Sequence, residues 1–315
     1  MSEFNENNPC IDFHSHIYPQ TSFVQKIPGP YLEKIKSVSK YYSRLSHTIQ
    51  QKIHLAPNII REKFDPLLLS FTLPSLAISS SAEDLALEMR QQSVKYAVVA
   101  AHPPLITNTF IISESKKNQN FLPCLTLTDL NDEDDFFEMR NLINPTYLLK
   151  INPMATALDL KSEKVQQILD FWNKKSWPVL IHTGALYSSF FNNPELGNIE
   201  NFSEIVSRYS DIKFILLHMN IFKPYDALEF CHKFENTFVT TSWQSPELVT
   251  VASHKIGSER ILFSSDWPLL GNNIEIRKNL ILNLNSKKYL SDIETENILF
   301  KNAQGILENY FSKKL

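Results

Sequence analysis

Two histidines separated by one residue close a short apolar run near the start of the chain, Ile11-Asp12-Phe13-His14-Ser15-His16. In an extended strand, side chains at i and i+2 leave the same face roughly 6 to 7 Å apart, so His14 and His16 can be turned toward one ion. Imidazole pairs of this kind suit a borderline metal such as zinc. A lone pair arises often by chance, and repetition gives this one its weight. Three further apolar runs end in metal-competent residues: Pro178-Val-Leu-Ile-His182, Phe214-Ile-Leu-Leu-His218 and Ile261-Leu-Phe-Ser-Ser-Asp266. Three histidines and a carboxylate around one divalent ion leave a position for water, whose pKa the metal lowers toward neutrality to give a hydroxide nucleophile. Proton transfer then requires a further acid or base.

The elements that would hold these residues are strands alternating with helices. Strand patterns fall near 10–16, 94–101, 121–127, 146–151, 178–182, 213–218, 237–242 and 261–265. Helix patterns fall between them: Ser81 opens one, Ser162 another, Phe202 to Tyr209 a third, and Ser245-Pro246 gives the next an N-cap and a proline at its first position. Eight such repeats predict a parallel sheet closed into a (β/α)8 barrel, in one domain spanning residues 1–315. An open doubly wound sheet is the competing fold, but no glycine-rich phosphate loop follows any strand. In a barrel, chemistry sits at the C-terminal ends of the strands, where His14, His16, His182, His218 and Asp266 fall. Alternation along the strands puts Phe214, Leu216 and His218 on one face, and Leu262, Ser264 and Asp266 on another, so each run is expected to set its last residue over the barrel mouth. A segment from about 17 to 75 is too apolar for a linker. It reads as a helical insertion, with one helix around Tyr31 to Tyr42 and a second over His47 to Lys63, expected to wall the pocket from the C-terminal rim.

Composition narrows the function classes. Lys plus Arg number 31 against 34 Asp plus Glu, and the charges are scattered, which gives no footprint for nucleic acid or an anionic membrane. Neither a spanning helix nor a signal peptide is evident, so a cytoplasmic protein with a small-molecule substrate is the expectation. Cys10, Cys124 and Cys231 are odd in number and widely spaced, and read as buried free thiols, neither a disulfide framework nor a cysteine zinc site.

Taken in order, Asp12-Phe-His14-Ser-His16-Ile-Tyr-Pro19, Ile181-His182-Thr-Gly184, Leu217-His218-Met-Asn220, Ser264-Ser-Asp266-Trp-Pro268 and Lys301-Asn302-Ala303 resemble the amidohydrolase superfamily, in its amidohydrolase-related branch of metal-dependent TIM-barrel hydrolases and decarboxylases. The resemblance runs along almost the whole chain. It implies that His14, His16 and His182 hold the metal, that Asp266 ligates it or acts as the proton-transfer base, and that His218 orients water or steadies an oxyanion. It implies one zinc, or two ions if Lys150 is carboxylated; a charged Lys150 near the substrate or in an ion pair is the other reading. A homodimer is a further implication. Asn220 stands where the family pattern carries glycine, and an amide there is expected to narrow or polarise the pocket.

The leading function is a metal-dependent hydrolase acting on an amide, lactone or ester-like bond. A nonoxidative decarboxylase of an unsaturated or aromatic acid is the alternative, and a barrel that binds without turnover is the third. Several residues stay open: His102 as a loop residue or a pocket liner, Trp243 and Trp267 as an aromatic wall or as rim packing. Asp12 reads as a structural hydrogen-bond acceptor. No chemistry is assigned to His47, His54, His232 or His254.

Overall fold

The computed structural model of the chain describes residues 8–20, 28–53, 63–64, 67, 78–128, 147–174, 177–185, 193–269 and 274–311. Eight parallel strands stand in chain order: β1 (Cys10–Ser15), β2 (Val94–Ala100), β3 (Phe121–Thr126), β4 (Leu148–Ile151), β5 (Val179–His182), β6 (Phe214–Leu217), β7 (Thr237–Thr240) and β8 (Ile261–Leu262). The sheet edges meet where Phe13 N–H donates to Phe263 O (2.9 Å) and Asp266 N–H to His14 O (3.0 Å), with a parallel bridge between Ser15 and Trp267. The fold is thus an α/β barrel of the (β/α)8 type.

Two apolar layers follow from the period-two alternation of the strands. Ile11, Phe13, Val98, Ala100, Leu122 and Cys124 are among the side chains that fill the barrel interior. Their alternates, Ala97, Val99, Phe121 and Leu125 among them, pack outward against the helices. Among the described residues the first six α-helices are α1 (Gly29–Ile53), α2 (Ala82–Gln91), α3 (Asn108–Lys117), α4 (Pro153–Thr156), α5 (Glu163–Asn173) and α6 (Ser203–Arg208). Five more follow: α7 (Pro224–Lys233), α8 (Pro246–Ile256), α9 (Ile274–Ser286), α10 (Asp292–Glu296) and α11 (Asn302–Phe311). Ser81, Ser162 and Ser245 each accept an N–H bond from the first turn of the helix they open, and α2 carries a full capping box with Asp84. Asn302 donates to the carbonyls of Ser258 and Ile261, while Ala303, Ile306 and Leu307 of α11 join the interior cluster. Asn302 and Ala303 therefore close the N-terminal end of the barrel and take no part in chemistry.

Two expectations need correction. The helix predicted around Tyr31 to Tyr42 and the one predicted from His47 are a single helix, α1, with no break between them. Nothing between Tyr42 and His47 stops it, since Ser43-Arg44-Leu45-Ser46 contains neither glycine nor proline. Residues 21–27, 54–62, 65–66 and 68–75 of the predicted insertion, with His54, lie outside the described residues. On β6 the parity is reversed: Ile215 and Leu217 point into the barrel, and Phe214 and Leu216 pack toward the helices. His218 still reaches the mouth, because the extended chain breaks there, with φ +63°. Cys10, Cys124 and Cys231 are buried free thiols, as expected. Among the described residues, no helix is long and apolar enough to cross a membrane.

Candidate metal centre

A staple between β1 and the chain after β8 builds the centre. Asp12 Oδ1 accepts from Ser265 N–H (2.9 Å) and His14 N–H (3.2 Å), and its Oδ2 accepts from the Ser265 hydroxyl (2.5 Å). This is the structural acceptor role expected of Asp12. Burial pushes its carboxyl up to about 7, against the pull of those hydrogen bonds. The register between β1 and β2 shifts between Asp12 and Ser15, a bulge that re-aims the side chains after Phe13. Asp266 adopts φ +54°, a region aspartate tolerates better than most residues, and so turns back toward His14 and His16.

Among the described residues, His14, His16 and Asp266 form the group whose ligand atoms all lie within 4.8 Å of one another, and all three are buried. Asp266 Oδ1 is 3.1 Å from His14 Nδ1 and 3.7 Å from His16 Nε2. Donor atoms on a tetrahedral zinc, with bonds of about 2.0 to 2.2 Å, stand about 3.3 to 3.5 Å apart, so the spacing is that of ligands sharing an ion. Hydrogen bonding agrees. His16 Nδ1 lies 2.7 Å from Ala100 O, and a carbonyl only accepts, so the ring hydrogen is on Nδ1 and Nε2 presents a lone pair. Burial holds His16 well below the usual imidazole range, which keeps that nitrogen unprotonated. Two acceptors, His16 Nε2 and Asp266 Oδ1, therefore face each other, and Oδ1 is buried without a hydrogen bond. A divalent cation resolves that arrangement, so the residues fit one.

Asp266 Oδ2 is held separately: the Trp243 indole N–H donates to it at 2.6 Å. His218 stands behind, Nδ1 2.8 Å from Ser242 Oγ and 3.9 Å from Asp266 Oδ2. Burial lowers its pKa to about 4 even though Asp266 pulls it up, so the ring is neutral at pH 7. His182 does not belong to the three-residue group; its ring centroid is 4.8 Å from that of His218, which in turn is 5.1 Å from that of His14. Lys150, buried, approaches His14 Nε2 to 2.9 Å. Desolvation lowers its pKa to about 8, with Asp266 opposing. His102 is half-buried with its ring 5.5 Å from that of His16, on the pocket side and not out in the loop.

The turn carrying His218 is left-handed over four residues, His218 to Ile221. Gln244 Nε2 supports it by donating to the carbonyls of His218 (2.6 Å) and Ile221 (3.1 Å). Asn220 has φ +60°, a conformation in which asparagine is the best tolerated residue after glycine, and this explains its standing where the family pattern carries glycine. Its amide donates to Lys223 O, which turns that N–H into the turn and away from a pocket-lining role. Gly184 lies against this turn: a Cβ there would sit 2.8 Å from Asn220 C.

The two tryptophans separate. Trp267 is fully buried and donates to Glu88 Oε2 (2.9 Å), so it packs and walls nothing. Trp243 is half-buried and grips the carboxylate. Trp243, open in the sequence between an aromatic wall and rim packing, thus binds Asp266, and Ser242 and Gln244 beside it at the end of β7, which the sequence did not single out, touch His218. Nor did the sequence single out Arg277 of α9: buried, it donates to the carbonyls of Thr241 and Gln244 and clamps this loop from behind. Residues 186–192, which follow His182, lie outside the described residues.

A family model described as amidohydrolase matches residues 11–307. No curated protein matches the chain in sequence. Solved structures that share its fold include the following three. The 5-carboxyvanillate decarboxylase of Sphingomonas paucimobilis is 14% identical with a TM-score of 0.60, over 95% of this chain and 99% of that one. A probable 2-pyrone-4,6-dicarboxylic acid hydrolase of Acinetobacter baumannii is 12% identical with a TM-score of 0.57, over 95% and 99%. A dihydroxybenzoic acid decarboxylase of Polaromonas, with bound manganese and an inhibitor, is 16% identical with a TM-score of 0.60, over 96% and 97%.

Proposed function

The chain belongs to the amidohydrolase family, and from that premise we propose that it is a metal-dependent hydrolase cleaving an amide, lactone or ester-like bond of a small molecule. One observation carries the reading: His16 Nε2 and Asp266 Oδ1 face each other at 3.7 Å with no hydrogen to share, beside His14 Nδ1. His14, His16 and Asp266 would hold one zinc ion, with His182 completing the set from the β5 side. When bound, that ion would lower the pKa of a water and polarise the bond to be broken.

The chain's own residues would do the rest. Asp266 is fixed at Oδ2 by Trp243, so its carboxylate is presented in one orientation. His218 is neutral and is oriented by Ser242, whose hydroxyl can donate to Nδ1 or accept from it; the imidazole accepts a proton and returns it to the leaving group. In the single-ion reading Lys150 would stay unmodified, its amine beside His14 Nε2.

The decarboxylase reading has an observation of its own. Lys150 is a buried cation next to the cluster, the kind of group that would grip a substrate carboxylate, and the similar structures include two decarboxylases. A barrel that only binds is disfavoured, because it has no use for a proton-transfer imidazole behind the ligand cluster. The test is product analysis with zinc-loaded protein on a panel of lactones, amides and aromatic acids. Solvent 18O entering the product supports hydrolysis; CO2 release without 18O in the organic product overturns it in favour of decarboxylation.

A further inference from the structure

Asn152 opens α4 and does not cap it with its side chain. Asparagine in that place ordinarily turns its side-chain oxygen back to an N–H of the first turn. Here the side chain makes no such bond, and the backbone carbonyl serves the helix instead, accepting from Ala155 N–H (3.1 Å), Thr156 N–H (3.2 Å) and the Thr156 hydroxyl (3.0 Å). The side chain is nevertheless inside the protein. Asn152 is 1% exposed, and its Oδ1 is buried without a hydrogen-bond partner among the described residues. A buried acceptor left unpaired destabilises the fold that contains it, so its use lies outside the fold.

The strand register places that oxygen. On β4, Leu148 joins the barrel interior, Leu149 and Ile151 pack outward, and Lys150 meets His14 Nε2 at 2.9 Å. Alternation therefore sends Asn152 inward, one layer nearer the mouth than Lys150. Strand β4 pairs with β5 as Lys150 with Leu180 and Ile151 with Ile181, and the next step in that register sets Asn152 beside His182. Neighbouring strands stand only about 4.8 Å apart. The unpaired oxygen thus borders the candidate metal centre. We infer that Asn152 is a specificity-determining residue whose Oδ1 accepts a hydrogen bond from an N–H or O–H that the substrate carries beside the group held at the centre. This rests on the proposed metal-dependent activity and narrows its substrates: a secondary amide or a hydroxylated acid supplies the donor, and a simple ester or lactone does not.

The test is calorimetric binding of three hydroxamates to zinc-loaded protein: benzohydroxamate, N-methylbenzohydroxamate, which lacks the N–H, and 2-hydroxybenzohydroxamate, which adds an O–H. Each chelates a divalent ion through the same two oxygens, so the comparison is independent of which reaction is catalysed. For one of the two donors, the ratio of Kd without it to Kd with it should be about 10-fold or more larger in wild type than in Asn152→Leu, which has a similar volume and no polar atom. Should leucine impair folding, Asn152→Ala gives the same comparison. At least one of these variants should melt as high as ligand-free wild type, since the change removes an unpaired polar atom. Equal ratios in wild type and variant, or a melting temperature lowered in both variants, overturn the inference. Protein that takes up no metal and binds none of the probes overturns the proposed metal centre, and the role of Asn152 falls with it. Zinc-loaded protein that ignores residue 152, or binds none of the three, overturns the role of Asn152 alone.

Discussion

Replacing Trp243 by Phe keeps an aromatic ring of similar shape and removes one hydrogen bond, the 2.6 Å indole donation to Asp266 Oδ2. The acceptor is a buried carboxylate whose other oxygen faces His14 and His16, so the bond fixes the angle at which the carboxylate meets an ion. A hydrogen bond to a charged group contributes about 1.5 to 3 kcal/mol, and loss of a partner that orients a metal ligand typically weakens binding about 10- to 100-fold. The two ranges agree, since tenfold corresponds to about 1.4 kcal/mol. Trp243→Phe should therefore raise the metal Kd by about one to two orders of magnitude, read by competition with a chromophoric chelator. Trp267→Phe is the control, because its indole donates to Glu88, a helix residue outside the cluster. That variant should lose stability and keep its metal affinity. If Trp243→Phe binds metal as tightly as wild type, or both variants lose affinity alike, the indole does not orient Asp266 and the role given to it is wrong.

His218→Asn should lower kcat by about 10² to 10⁴ while metal content stays unchanged; loss of the ion would make His218 a ligand. Gly184→Ala should destabilise the barrel by about 1 to 3 kcal/mol in a denaturant titration, because φ is +94° and the new Cβ would press on the Asn220 backbone; an unchanged midpoint would show that the His218 turn yields easily. Glu294 closes the capping box of α10, and the Ser291 N–H it accepts holds its carboxyl below the usual range. Its contribution of about 0.3 to 1 kcal/mol is thus present above the unfolded carboxyl pKa and is lost as pH falls through the lower folded value. Glu294→Gln should be less stable than wild type at pH 7 and equal to it in strong acid, by thermal melts at both pH values; a gap that persists in acid would assign the effect to packing.

The fold was legible because each buried strand is a short apolar run, and because serine caps mark the helices that follow Ser81, Ser162 and Ser245. His14, His16 and Asp266 were legible by residue type at strand ends. What escaped was backbone geometry. Alternation alone would have turned His218 toward the helices with Phe214 and Leu216, and only the left-handed residues from His218 onward bring it back. The bulge in β1 has no sequence mark of its own, since neither glycine nor proline lies between Asp12 and Ser15. The bond of Trp243 to Asp266, and Arg277 altogether, were missed for a different reason: tryptophan and arginine serve packing and binding alike, and their partners lie 23 and 36 residues away in sequence. Asn220 had a visible signal, an asparagine in a glycine's place, which reads correctly once the left-handed backbone is considered.

The claim that His14, His16 and Asp266 share one ion is tested most directly by elemental analysis of purified protein, with an anomalous difference map at the zinc edge. About one zinc per chain is expected, with its density between His16 Nε2 and Asp266 Oδ1, and His16→Ala should lose it while the barrel stays folded. Protein prepared with zinc that carries none, or density elsewhere with full occupancy in His16→Ala, would contradict the claim.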